Sequence, residues 1–266
     1  MSNVKSIYIH IPFCNQICTY CDFCKLYYNK KWINKYLDVL KQEVRLSYKN
    51  EKISTVYIGG GTPSSLTTEE LTKLFCITNN ILLEEDYEFT IECNIEDITE
   101  EKLILFKKNK VNRLSIGVQS FNKEILNYLG RNYDESIILK KINLAKKYFK
   151  NINIDLIYAI KNQTLDDLNM EIEKFLSINI PHISCYSLII ENNTILKNNK
   201  EEYINDELDR KMYDLICNKL GKKYNHYEIS NFSINGYESK HNLCYWNNLE
   251  YYGFGLSASG YIDDIR

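Results

Sequence analysis

No apolar run in this 266-residue chain approaches the roughly 18 to 20 residues that cross a bilayer, and the short apolar stretch behind the polar start Met1 to Lys5 does not read as an export signal. Charge of one sign is missing too. Lys and Arg number 33 against 35 Asp and Glu, so the formal net charge is −2 and nothing global draws the chain to nucleic acid or anionic lipid. Small molecules and proteins are the expected partners, with membrane contact only through a partner. Low-complexity stretches and repeats of about 20 to 50 residues are absent, which excludes a flexible linker and a solenoid. Histidine is scarce, with four in all. The chain does have enough apolar material for one substantial core, 44% hydrophobic residues against 26% charged. It also has nine cysteines, four of them packed between Cys14 and Cys24. Without an export signal, that density suits a reducing compartment and metal ligation better than disulfides, and a cytoplasmic location is expected.

Short β-branched and aromatic runs alternate with longer amphipathic ones, the pattern of successive βα units around a parallel sheet. The strand candidates are Ser6–Ile11, Thr55–Ile58, Glu88–Cys93, Arg113–Val118, Ile152–Tyr158 and His182–Ile190. Helices are expected over Trp32–Tyr48, Thr68–Leu83, Glu100–Asn109, Glu135–Phe149, Leu165–Ser177 and Asp206–Leu220. The expected fold class is α/β, a partial (β/α)6 barrel over residues 1–205 with a small C-terminal appendage over 206–266. Barrels of this kind build their sites at the C-terminal ends of strands. Unusual polar residues fall there repeatedly: the cysteines after the first strand, Gly59-Gly-Gly-Thr-Pro63 after the second, Glu92 and Gln119 ending the third and fourth, and Asp155 within the fifth.

Cys14-Asn-Gln-Ile-Cys18-Thr-Tyr-Cys21 puts three thiols in one tight loop. Three thiolates on a [4Fe–4S] cube leave one iron without a protein ligand, and an open metal position is what admits a substrate or cofactor. The incoming ligand is read as S-adenosylmethionine, bound through its amino and carboxylate groups. A structural zinc site and a coincidental thiol cluster are the alternatives, but no second Cys or His pair follows downstream. Cys24 is read outside the ligand set, because a fourth thiolate would close the open iron. Tyr20 stands between two ligands and either packs on an adenine or simply packs the loop.

Tyr8-Ile-His10-Ile-Pro-Phe-Cys14, running into Cys21-Asp-Phe, resembles the coproporphyrinogen dehydrogenase branch of the radical-SAM superfamily. So do Gly59–Pro63, Asn112-Arg-Leu-Ser-Ile-Gly-Val-Gln-Ser-Phe121, Leu129-Gly-Arg131, Asn153-Ile-Asp155 and His241-Asn-Leu-Cys-Tyr-Trp246, so the likeness spans nearly the whole chain. It implies that Tyr8, Tyr20, Gly60, Gly61, Thr62 and Glu92 help hold the cluster-bound S-adenosylmethionine. Gln119, Arg131 and Asp155 match positions that hold a second such molecule in the decarboxylases of the branch. Two departures stand out. Ala159-Ile-Lys-Asn162 replaces a Gly-Leu-Pro-Gly-like turn, and the chain stops at Arg266 where relatives continue, so 206–266 reads as an incomplete C-terminal region.

Three functions follow from the resemblance. The favoured one is a haem-binding chaperone that hands haem to an acceptor protein and draws on an electron donor, because the motif continues as Cys-Asp-Phe and begins close to the N-terminus. The others are an oxygen-independent coproporphyrinogen III dehydrogenase, with decarboxylation less favoured, and an inactive scaffold. His241 is the expected axial haem ligand, with Tyr245 and Trp246 as flat apolar surface; Cys244 and a plain structural role for His241 are the alternatives.

Overall fold

The computed structural model describes residues 4–266; residues 1–3, read above as part of the polar start, lie outside them. In chain order the strands are β1 (Ser6–Ile11), β2 (Phe13–Cys14), β3 (Leu26–Tyr27), β4 (Ile53–Gly60), β5 (Leu83–Asn94), β6 (Arg113–Gln119), β7 (Asn151–Tyr158), β8 (His182–Ser187), β9 (Asn225–His226), β10 (Asn231–Ser233) and β11 (Tyr251–Phe254). The helices are α1 (Lys30–Ser47), α2 (Thr68–Thr78), α3 (Glu100–Lys108), α4 (Lys123–Tyr128), α5 (Glu135–Tyr148), α6 (Leu165–Ile178), α7 (Ile195–Asn198), α8 (Asp206–Leu220) and α9 (Lys240–Trp246). The expected α/β class and its six βα units are all present.

Local chemistry sets the helix starts. Asn29 accepts from the backbone N–H groups of Lys31 and Trp32 at the head of α1, and Thr67 with Glu70 forms a reciprocal capping box on α2. In α1, Ile33, Leu37, Leu40 and Val44 form one buried stripe at three- and four-residue spacing. Two expected elements are shorter than their apolar patterns. Helix α2 stops at Thr78, where Asn79 caps it and the Asn80 amide donates to the Cys76 carbonyl, and Leu83 instead opens β5 opposite Ile53. Strand β8 stops at Ser187, and Leu188 and Ile190 pack in a buried cluster with Ile125, Leu129, Ile157, Ile160 and Leu196.

The chain divides into two compact units. The first comprises residues 4–16, Phe23–Leu114 and Ser239–Arg266; the second comprises Ile17–Asp22 and Ser115–Glu238. In the first, strands run in the order β11-β1-β4-β5, every neighbouring pair parallel. The register sets Ser6 opposite Thr55 and Tyr8 opposite Tyr57, then Thr55 opposite Glu88 and Tyr57 opposite Thr90. Since alternate residues share a face, Ser6, Tyr8 and His10 line up with Thr55, Tyr57 and Gly59, and with Glu88, Thr90 and Glu92. The opposite face carries Ile7, Ile9, Ile11, Val56, Ile58, Phe89 and Ile91, all fully buried. Parallel strands covered on both sides are ordinarily apolar on both. A polar face here therefore has to be explained by what it binds or braces.

In the second unit the order is β6-β7-β8-β10-β9, with β7 and β8 parallel and β10 antiparallel to both its neighbours. It too has a polar face, in which Asn153 pairs with His182 and Asp155 with Ser184.

Candidate functional site

In the first unit the polar residues converge where β4 ends. Gly60 has φ +114°, a conformation side chains resist, and a Cβ there would fall 2.5 Å from the His10 ring. At Gly61 a Cβ would meet the Pro12 carbonyl carbon at 2.8 Å and Cys14 Sγ at 3.0 Å. At Gly59 a Cβ would likewise fall 2.8 Å from the Glu92 carboxyl carbon, so the turn packs too closely on its neighbours to admit any side chain. Beside it, both oxygens of the Glu92 carboxylate are fixed: the Tyr57 hydroxyl donates to Oε1 (2.8 Å) and the Gly60 backbone N–H donates to Oε2 (3.0 Å). Thr62 is buried, and its hydroxyl donates to Cys14 Sγ at 3.4 Å while accepting from the Asn94 amide at 3.2 Å.

Strand pairing of β2 with β3 holds Cys14, and the backbone N–H of Tyr28 donates to the Cys14 carbonyl at 2.9 Å. His10 Nε2 lies 2.8 Å from the Cys24 carbonyl, which can only accept, so Nδ1 accepts from the Tyr8 hydroxyl at 3.0 Å. Burial, with Glu92 next in weight, raises the Tyr8 hydroxyl well above its ordinary range and keeps it a donor.

In the second unit the turn from Cys18 to Cys21 closes with a backbone bond from Cys21 N–H to the Cys18 carbonyl (3.3 Å). It docks on the end of α4. Thr19 donates from its N–H to the Leu129 carbonyl (3.3 Å) and from its hydroxyl to the Tyr128 carbonyl (2.8 Å). Gly130, at φ +77°, allows this approach, since a Cβ would lie 3.2 Å from Thr19 Cγ2. Arg131 is buried and donates to the Tyr20 hydroxyl (3.2 Å), the Tyr133 hydroxyl (3.0 Å) and the Gly117 carbonyl (3.4 Å). Tyr20 also packs on the Ile125–Leu129 cluster.

Gln119 ends β6 with φ +71°; it is buried and its Oε1 has no hydrogen-bond partner among the described residues. An orphaned buried acceptor on a strained backbone is open to a donor from a ligand or from water. Asp155 is half-buried and accepts from Asn153 Nδ2 (2.8 Å). Behind it Asn153 Oδ1 accepts from His182 Nδ1 (2.6 Å), and His182 Nε2 accepts from the Tyr227 hydroxyl (2.7 Å). The altered turn keeps glycine-like dihedrals, with Ala159 at φ +61° and Asn162 at φ +65°.

The nine cysteines form no disulfide, and among the described residues no three His, Cys, Asp or Glu side chains are gathered at metal-ligating distances. His241 lies in α9, capped by Ser239, and is 1% exposed. Its Nδ1 lies 2.8 Å from Thr55 Oγ1, which itself donates to Ser6, so Nδ1 donates and Nε2 accepts from the Tyr245 hydroxyl at 2.8 Å. Iron bound at Nε2 would have to displace Tyr245. Sequence reasoning passed over Tyr57, Gly130, Tyr133 and His182. Tyr57 was within reach, because it sits two residues before Gly59 and so on the same face of β4.

Residues 8–175 match the family model described as the Radical SAM superfamily. The chain is 43% identical to "Heme chaperone HemW" of Lactococcus lactis over 98% of its own length and 71% of that protein's. To the protein of the same name from Bacillus subtilis it is 40% identical, over 99% of this chain and 72% of the relative. Among solved structures, coproporphyrinogen III oxidase (HemN) from Escherichia coli superposes with a TM-score of 0.84 at 24% identity, over 97% of this chain and 64% of that one. At that identity the likeness concerns the fold.

Proposed function

This chain belongs to the radical SAM superfamily and, within it, to the family of the HemW heme chaperones, and from that membership we propose that it binds haem and passes it to an acceptor protein. Cys14, Cys18 and Cys21 are the proposed ligands of a [4Fe–4S] cluster. The donor set suits it: the thiols stand outside any disulfide, and Thr62 directs a hydroxyl at Cys14 Sγ as it would at a thiolate. When present, the cluster supplies an open iron for S-adenosylmethionine and a low-potential electron.

The observation that carries the reading is Glu92, a carboxylate held at both oxygens by Tyr57 and Gly60 beside the glycine turn. A carboxylate fixed in this way would accept from the ammonium of the methionyl group. Thr62 and Tyr8 border the same place. Tyr20 secures the loop through Arg131. Gln119, Arg131 and Asp155 are proposed for a second ligand: an unsatisfied acceptor, a buried cation and a carboxylate suit the hydroxyl, amine and carboxylate groups of such a molecule.

The haem acceptor and an electron donor belong to the same proposal, as does operation in the cytoplasm. Among the described residues no helix is long and apolar enough to cross a membrane. The test is the absorption spectrum of the anaerobically reconstituted protein with and without haem, run beside an assay for carbon dioxide release from coproporphyrinogen III. A cluster band, a haem band and no release are expected. A wild-type protein that takes up no haem would overturn the chaperone reading, and steady release would replace it with the decarboxylase.

A further inference from the structure

The polar face of the first unit has three rows, and α9 sits on the first. There the Glu88 carboxylate accepts from the backbone N–H groups of Lys240 and His241, at 3.1 Å each. Arg113 Nε stands 3.9 Å from the same carboxylate, and Thr55 holds His241 Nδ1. In the middle row the His241 ring stacks on Tyr57, with centroids 5.1 Å apart and planes 28° from parallel, and Tyr8 stands at 6.2 Å from Tyr57. The Tyr57 hydroxyl then reaches the third row, where it donates to Glu92 Oε1.

We propose that His241 is a positioning residue for Glu92, acting through Tyr57. The inference rests on the reading of Glu92 as the acceptor for S-adenosylmethionine. Helix α9 is pinned to β5 by Glu88 and to β4 by Thr55, and that anchorage makes the His241 ring a fixed wall. Against the wall Tyr57 keeps one ring orientation, and its hydroxyl holds the carboxylate at one angle. Ligand-binding groups need support of this kind, because a side chain left with two rotamers spends part of its time misaligned. The His241 motif then serves the glycine end of this polar face from its opposite end, where Ser6, Thr55 and Glu88 lie.

The experiment measures S-adenosylmethionine affinity on reconstituted protein, along with the change it causes in the electron paramagnetic resonance spectrum of the reduced cluster. The variants are Tyr57→Phe, His241→Ala and His241→Phe, with iron content, urea midpoint and haem titration recorded for each. Tyr57→Phe should weaken binding about tenfold, the loss of one hydrogen bond to a charged group, and His241→Ala about as much. In combination the two should cost little more than one, because both act on the same carboxylate. His241→Phe keeps a ring against Tyr57 but loses both hydrogen bonds. It should be less stable than wild type yet bind the ligand close to normally while His241→Ala binds it weakly, a split that a merely structural role does not produce. If His241→Ala fails to fold, the comparison of Tyr57→Phe with His241→Phe still decides. Unchanged affinity in Tyr57→Phe and His241→Ala, or loss of haem with ligand binding intact, overturns the inference alone. A wild type that binds no S-adenosylmethionine removes the reading of Glu92 and this inference with it.

Discussion

A single methyl group is enough to probe the glycine turn. At Gly61 an added Cβ would press on the backbone carbonyl of Pro12 and on Cys14 Sγ, and neither is the loose end of a flexible side chain. Gly61→Ala is expected to cost about 1–3 kcal/mol as an overpacking change and to lower S-adenosylmethionine uptake more than iron content. Urea unfolding and ligand titration check the two parts. His241 supplies a second test at this scale. Its pKa is pushed down to about 3, chiefly by burial and then by the charge of Arg113, whereas an unfolded imidazole titrates near 6.5. Between those values the unfolded chain holds a proton that the folded chain lacks. The stability contributed by the neutral ring is therefore fully present above about 6.5 and is lost as the pH falls from there toward 3. Glu88, Arg113, Tyr57, Tyr8 and Tyr245 surround the ring, and His241→Gln leaves them all in place. From pH 7 to pH 5 the wild type should lose about 2 kcal/mol more than His241→Gln in urea unfolding. Parallel pH profiles would mean that the ring is reached by water.

The elements show where sequence reading works and where it stops. The bounds of β1 and α8 are those expected, because β-branched alternation and a capped amphipathic run each speak for themselves. Glu92, Gln119 and Asp155 lie on β5, β6 and β7 as expected, whereas Gly59 and Gly60, expected after the second strand, are the last residues of β4. Helix α9 was not foreseen. Its seven residues lack a long apolar period, and much of its anchorage comes from Glu88, about 150 positions away in sequence. Hence His241 was legible as unusual but not as buried. The turn at Ala159 was read as a lost glycine motif, and its dihedrals show that the glycine geometry persists under a residue that resists it. Ala159→Gly should therefore stabilise the protein by about 0.5 to 1 kcal/mol, the relief of a left-handed alanine less the added freedom of the unfolded chain. A lower urea midpoint in that variant would show that the turn is not strained.

Across the whole chain, the question is which of nine thiols can become thiolates on iron. Burial pushes Cys93 and Cys185 well above the ordinary thiol range, so forming a thiolate there is costly, and Cys244 is raised in the same direction. Cys217 is raised as well and lies beside His226, with Sγ 3.9 Å from Nδ1, while Cys76 is exposed on α2 with no second cysteine in that helix. The loop from Cys14 to Cys24 is the proposed source of ligands. Within it Cys14 receives the Thr62 hydroxyl and Cys18 and Cys21 share a docked turn, whereas Cys24 contributes its carbonyl to His10. That bond is made by the Cys24 backbone and does not involve its sulfur. Replacing Cys14, Cys18 or Cys21 by Ala should each reduce iron from about four atoms per chain to a small residue after anaerobic reconstitution, with the visible absorbance lost in step. Cys24→Ala should keep both, and it should still show the spectral change on adding S-adenosylmethionine, because the open iron is untouched. Loss of the cluster in Cys24→Ala alone would make Cys24 a fourth ligand and close the position that the cofactor needs.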